Sequence, residues 1–111
     1  MSALFEQVSV GEMAVPNRFV RSATFEGMAE LDGSCKEVLV DLTAELAKGE
    51  VGTIIASHAF VEPRGRVRAS QLGIHRDEMV PGLASMVAAA HDNGSLIIAQ
   101  IAHGGCTAND P

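Results

Sequence analysis

The stretch Ser95–Cys106, SLIIAQIAHGGC, decides the fold. Leu96, Ile97, Ile98, Ala99, Ile101 and Ala102 form a short, β-branched apolar run that suits a strand buried on both faces, with Gln100 its only polar interruption. His103, Gly104, Gly105 and Cys106 follow at its carboxyl end. Strand ends of this kind are where α/β folds place ligands, because the strand fixes the base of a loop that is free to vary. The pattern recurs twice upstream, in Arg18–Thr24 (RFVRSAT) and in Val51–His58 (VGTIIASH). Three such strand ends predict one binding rim.

Between the strands the hydrophobic period lengthens to that of a helix. Cys35, Val38, Leu39, Leu42 and Leu46 make one apolar stripe, while Glu37, Asp41, Glu45 and Lys48 face away, which predicts a helix over Lys36–Lys48. Ser34 is its expected N-cap and Gly49 its C-cap. A second helix is predicted from about Val80 to Asp92. Pro81 lies in its first turn, Asp77 and Glu78 at the positive end of its dipole, and Asn93-Gly94 at its stop. Leu83, Met86, Val87 and Ala90 are its expected buried face. The first two strands are predicted over Arg18–Ala23 and Gly52–Ser57. Before them, Val8–Val10 and Met13–Val15 flank Gly11-Glu12 as a small hairpin, about residues 7–16, that covers one end of a sheet. The connection from His58 to about Glu78 keeps no period; because it follows a strand end, it is expected to wall the site.

Strand, helix, strand, helix, strand implies parallel, right-handed βαβ units with both helices on one sheet face. An all-parallel sheet needs both faces covered. A doubly wound fold would achieve this; so would closure into a barrel of eight strands and typically about 250 residues. With 111 residues the chain is too short to close alone. The expectation is the first three βα units of a (β/α)8 TIM barrel behind an N-terminal β-hairpin, incomplete as given. The rest would be missing through truncation, proteolysis or a split gene.

A net charge of −6 provides no field to recruit nucleic acid or an anionic membrane. No run approaches the roughly 20 apolar residues of a membrane span, and the start lacks a basic region followed by a long apolar one. The two cysteines, Cys35 and Cys106, form no CxxC pair, so neither a disulfide framework nor a four-thiolate metal site is offered, and a reducing cytoplasm is the expected location. Arg64, Arg66 and Arg68 are the one basic cluster; they read as solvated loop residues that a phosphate or acidic substrate could use. His75 and His91 read as solvent-facing. His103 and Cys106, three apart, could join His58 around zinc or form a nucleophile pair. No further thiol pair or orienting third group supports either, so no metal and no catalytic residue is assigned. GxGxxG and P-loop motifs are absent.

Four blocks in order, Asn17–Thr24 (NRFVRSAT), Val61–Arg66 (VEPRGR), Leu72–Ile74 (LGI) and Gln100–Gly105 (QIAHGG), resemble successive blocks of the old yellow enzyme family. The resemblance implies an FMN-binding (β/α)8 barrel in which NADH or NADPH reduces the flavin and the flavin reduces an activated alkene or related acceptor. It implies flavin contacts from Ser22, Ala23 and Thr24 at the first strand end and from His58 or its neighbour Ala59 at the second. Gln100 would hydrogen-bond the flavin pyrimidine, and His103 would contribute to the substrate side. Phe25 stands at or beside the place where relatives hold a Thr or Cys that tunes the flavin, and Cys106 stands where many carry Arg. The substrate-activating pair, the proton-donating Tyr and the phosphate-binding segments belong to later strands of that family; this sequence contains no Tyr. The chain alone is therefore expected to be inactive, with a small-molecule substrate and the remainder of the barrel, or further copies of itself, as partners. The rival expectation is a non-catalytic fragment that self-associates through unpaired edges of its first and third strands as a binding or assembly module.

Overall fold

A computed structural model describes residues 2–109. The chain begins with an antiparallel hairpin, β1 (Val8–Val10) and β2 (Met13–Val15), in which Val8 lies opposite Val15 and Val10 opposite Met13. Gly11 takes the left-handed conformation that turns the chain between them, with φ of 60°. Then follow β3 (Val20–Arg21), α1 (Glu37–Lys48), β4 (Thr53–Ile55), β5 (Ala59–Phe60), α2 (Val80–Asp92), β6 (Leu96–Ile98) and β7 (Ile101–Ala102). The parallel sheet has the order β3-β4-β6, and β5 pairs parallel with β7 just beyond it. Ile54 sits between Arg21 and Ile97 in the common register.

Both helices cover one face of this sheet. Their contact with it encloses a core of Ala29, Leu39, Ala56, Ala59, Leu72 and Met86, against which Met28, Cys35, Val40, Ile74, Leu83 and Ile97 pack. Ile54 on the sheet and Ala90 on α2 are 2% and 0% exposed. The opposite face is open: Val20 is 57% and Ile98 39% exposed. Three strands cannot close a ring that takes eight. No helix among the described residues is long and apolar enough to cross a membrane.

Several expectations are corrected. The third strand is not buried on both faces and is not continuous; it breaks between Ile98 and Ile101, and Ile101 is 69% exposed, because it forms the free edge beside β4 and β5 and helices cover one side only. All three strands are shorter than predicted, their ends leaving the ladder as loops begin. Ser34 does not cap α1. The Asp32-Gly33 turn takes it instead, with the Ser34 N–H donating to Asp32 Oδ1 at 2.9 Å, and the helix starts after Lys36, which makes no side-chain cap. The buried row of α1 is Leu39, Thr43 and Ala47, four apart, with the Thr43 hydroxyl donating to the Leu39 carbonyl; Val38 is 45% exposed on its flank. In α2, Met86 and Ala90 are buried, whereas Val87 lines an open groove with Leu83, Ile97 and Ala99 beside the free edge of β6. His75 is not solvent-facing: it is half-buried, stacked on Phe60 with ring centroids 4.7 Å apart, and burial together with Arg76 and Arg66 lowers its pKa. Arg66 lies over the Phe60 ring, 5.2 Å from its centroid, and donates to the Leu31 carbonyl, so it is a loop anchor and not a solvated cation.

Asn17 joins the hairpin to the sheet. Its Nδ2 donates to the Glu50 carbonyl at 2.8 Å and its Oδ1 accepts from the Phe19 N–H at 2.9 Å. This side chain lies against bare backbone at Gly52, where an added Cβ would fall 2.3 Å from Asn17 Oδ1. Gly52→Ala is therefore expected to destabilise the protein by about 1–3 kcal/mol, the usual range for overpacking, read as a lower urea midpoint at unchanged slope.

Candidate functional site

Parallel strands in register end on one line. Four residues beyond the paired Val20, Thr53 and Leu96 lie Thr24, Ser57 and Gln100, so the small and polar strand ends converge on one rim. The ladder shifts there. Ile55 pairs with Ile98 and Ala59 with Ile101, four steps on one chain segment against three on the other. The extra residue is a bulge within 56–58. Strict alternation would turn Ala56 and Ala59 to opposite faces, yet both lie in the helix-facing core. The bulge therefore delivers the intervening Ser57-His58 to the rim without breaking the core below.

His58 is half-buried, with its ring edge-on to Phe25 at a centroid distance of 5.9 Å. Its carbonyl accepts from Gln71 Nε2 at 3.4 Å. Gln71 is 0% exposed, and its Oε1 accepts from the Val67 N–H at 2.8 Å and the Arg68 N–H at 3.3 Å. One buried amide thus ties the long connection to the strand end and satisfies itself doing so. The wall expected between His58 and Glu78 is built on this residue.

The first strand end is held by a different device. Arg21 Nη1 donates to Glu26 Oε1 at 2.9 Å, with side chains 21% and 9% exposed. The pair brackets Ser22, Ala23, Thr24 and Phe25 and closes them as an arch at the strand end. The Thr24 hydroxyl donates to the Ser22 carbonyl at 3.0 Å. The N–H groups of Ser22, Ala23 and Thr24 donate to no acceptor among the described residues. Gln100 is exposed between β6 and β7; its carbonyl accepts from the Ala59 N–H at 2.8 Å, and its side-chain amide has no partner among the described residues.

His103 lies at the same rim but is occupied. Its Nε2 lies 2.7 Å from Glu62 Oε1, and its Nδ1 accepts from the Gly105 N–H at 3.0 Å. That acceptor role places the proton on Nε2, which donates to Glu62. The ring also rests on Gly65, where a Cβ would come within 2.6 Å of it. With both nitrogens engaged, His103 braces the Glu62–Gly65 turn and has none left to activate the Cys106 thiol. Cys106 is exposed; Cys35 is half-buried, and burial with the nearby Glu37 carboxylate pushes its thiol up to about 11.

Sequence reasoning named Ser22, Ala23, Thr24, His58, Gln100 and His103, and the fold brings all six to one end of the sheet. It missed Gln71 and the Arg21–Glu26 pair. The pair had a faint signal, opposite charges bracketing four small or apolar residues; Gln71, in an unperiodic stretch, had none.

A model of the family described as NADH:flavin oxidoreductase / NADH oxidase matches residues 3–111. Over 107 residues the chain is 35% identical to the 4,4'-dithiodibutanoate disulfide reductase of Rhodococcus erythropolis, taking in 96% of this chain and 26% of that protein. It is 33% identical over 103 residues to the NADPH dehydrogenase of Bacillus subtilis, 92% of this chain and 30% of the relative. The fold superimposes on the old yellow enzyme homologue from Zymomonas mobilis with a TM-score of 0.83 at 26% identity, over 92% of this chain and 28% of that one. The chain thus spans less than a third of the length of each of these proteins. Its architecture is that of the first three βα units of a (β/α)8 barrel with an N-terminal hairpin, not closed by these residues.

The donor set suits the pyrimidine side of a flavin, a ring edge that offers both donors and acceptors. Gln100 presents an amide of both kinds with neither used, and the Ser22–Thr24 arch presents unused N–H groups. Because only a thiolate attacks an alkylating agent, iodoacetamide at pH 8 is expected to modify Cys106 well before Cys35. Labelling of Cys35 should rise only as pH approaches about 11, read by peptide mass spectrometry.

Proposed function

The chain belongs to the NADH:flavin oxidoreductase / NADH oxidase family, whose flavin is FMN, and on that premise we propose that it forms the amino-terminal portion of a single FMN-binding TIM-barrel domain in an NAD(P)H-dependent oxidoreductase. The observation that carries the reading is the unpartnered Gln100 amide and the unused N–H groups of Ser22, Ala23 and Thr24 at the ends of the two outer strands of one sheet. When bound, FMN supplies hydride transfer, from NADH or NADPH to an activated alkene or related small-molecule acceptor.

This chain's residues bind and orient. Gln100 accepts from and donates to the pyrimidine edge, and the Ser22–Thr24 arch, held rigid by Arg21 and Glu26, donates N–H groups to it. His58 contributes its backbone N–H, since its carbonyl serves Gln71 and its ring packs on Phe25. His103 acts on the acceptor side through Glu62, keeping the turn that borders the site in place. The free edges of β3 and β6 pair with further strands of the same ring, in a cytoplasmic protein.

In the full-length protein, Gln100→Leu is expected to weaken FMN binding roughly tenfold, about what two hydrogen bonds to a neutral ring contribute. The checks are flavin fluorescence titration and the flavin midpoint potential, with far-UV circular dichroism unchanged. Unaltered affinity and potential would remove Gln100 from the site. A purified protein that is yellow, bleaches anaerobically with NADH or NADPH and recovers its colour on adding an enone supports the assignment; a colourless protein that takes up no FMN refutes it.

A further inference from the structure

The three arginines of the basic cluster have separate fates. Arg66 is held against Phe60 and the Leu31 carbonyl, and Arg64 lies in the turn Pro63–Gly65. Arg68 is held in its own way: its guanidinium stacks over the Phe25 ring at 5.1 Å, and among the described residues it, like Arg64, makes no ion pair and no side-chain hydrogen bond. An arginine held by a ring face instead of a carboxylate is positioned yet keeps its planar fork of donors unspent. Its backbone is positioned too, since the Arg68 N–H donates to Gln71 Oε1 and its carbonyl accepts from the Gln71 N–H at 3.1 Å. Phe25 in turn follows Thr24 on the arch and meets His58 edge-on. A single chain of contacts therefore ties the Arg68 cation to the first and second strand ends through Phe25 and His58.

We infer that Arg68 selects the electron acceptor, its guanidinium binding a carboxylate that the acceptor carries beside the flavin. The inference rests on the flavin reading above and adds to it a substrate class, anionic acceptors. A carboxylate matches the single planar fork that Arg68 presents at the rim; Arg66 is committed elsewhere.

Two probes that share one reactive enone separate charge from the rest of recognition: 3-benzoylacrylate and its methyl ester. In the full-length, FMN-loaded protein the ratio of kcat/KM for acid over ester is expected to fall about tenfold in Arg68→Gln, a loss typical of one hydrogen-bonded charge contact, and to recover in large part in Arg68→Lys. Calorimetry with the saturated acid 3-benzoylpropionate on the oxidised protein reads binding without turnover. Its Kd should rise about tenfold in Arg68→Gln by the same reasoning, and in the unsubstituted protein it should weaken with added salt. A flavin-loaded Arg68→Gln protein with unchanged ratio and Kd overturns the inference and leaves the flavin reading standing, as does failure of the unsubstituted holoprotein to bind 3-benzoylpropionate. A protein that takes up no FMN overturns both.

Discussion

The register of three parallel strands is the constraint on which the structure depends. Once Val20, Thr53 and Leu96 are level, every residue counted onward from them is level as well, and the three carboxyl ends form one rim. Hydrophobic burial holds the register. Ile54 and Ile97 point to the helices and are covered by α1 and α2, and a slip of one residue would exchange them for the open face. The bulge at 56–58 then changes the phase locally, so that Ala56 and Ala59 both serve the core while Ser57-His58 comes to the rim. Core and site thus make opposite demands on one strand, met within three residues.

Buried polar groups do the rest of the positioning, and each stands at the base of a loop. Asn17 ties the hairpin to Glu50 and Phe19, Ser95 ties β6 to the Val51 carbonyl, Glu26 closes the arch onto Arg21, and Gln71 closes the long connection onto His58. Loops have backbone donors and acceptors that no ladder satisfies. A side-chain amide or carboxylate can satisfy two or three at once, and in a buried place it does so in only one geometry. This is why a loop of some twenty residues between β5 and α2 is held as a defined wall. Glu62 and His103 add a more exposed brace at its start.

The rim differs chemically from the interior just below it. Under Gln100 the open face is apolar, with Ile98 and Val20; above it lie an amide, an arch of unused N–H groups, an aromatic ring and a cation. Phe25 is the centre of this upper layer, meeting His58 by its edge and Arg68 by its face. Phe25 offers a surface, and the polarity next to it comes from Arg68 on one side and His58 on the other. Arg68 is 43 residues from Phe25 along the chain and adjacent to it only in the fold.

The sequence by itself determined the elements, their order and the family. The 3.6-residue stripe of α1, the Pro81 and Asn93-Gly94 signals of α2 and the apolar runs at Ile54 and Ile97 are local, and local spacing is enough to read them. So is the polar character of each strand end; the resemblance to the old yellow enzyme family then singled out Thr24, His58 and Gln100 there. Only the tertiary structure decided what those residues do for one another. Ser34 was taken by the Asp32 turn, Val38 and Ile101 stayed in the open, His75 stacked on Phe60, and His103 spent both nitrogens on Glu62 and Gly105. Each of these outcomes is a competition for a partner distant along the chain or a matter of which face is covered. Such competitions are settled by packing, which one-dimensional spacing does not contain.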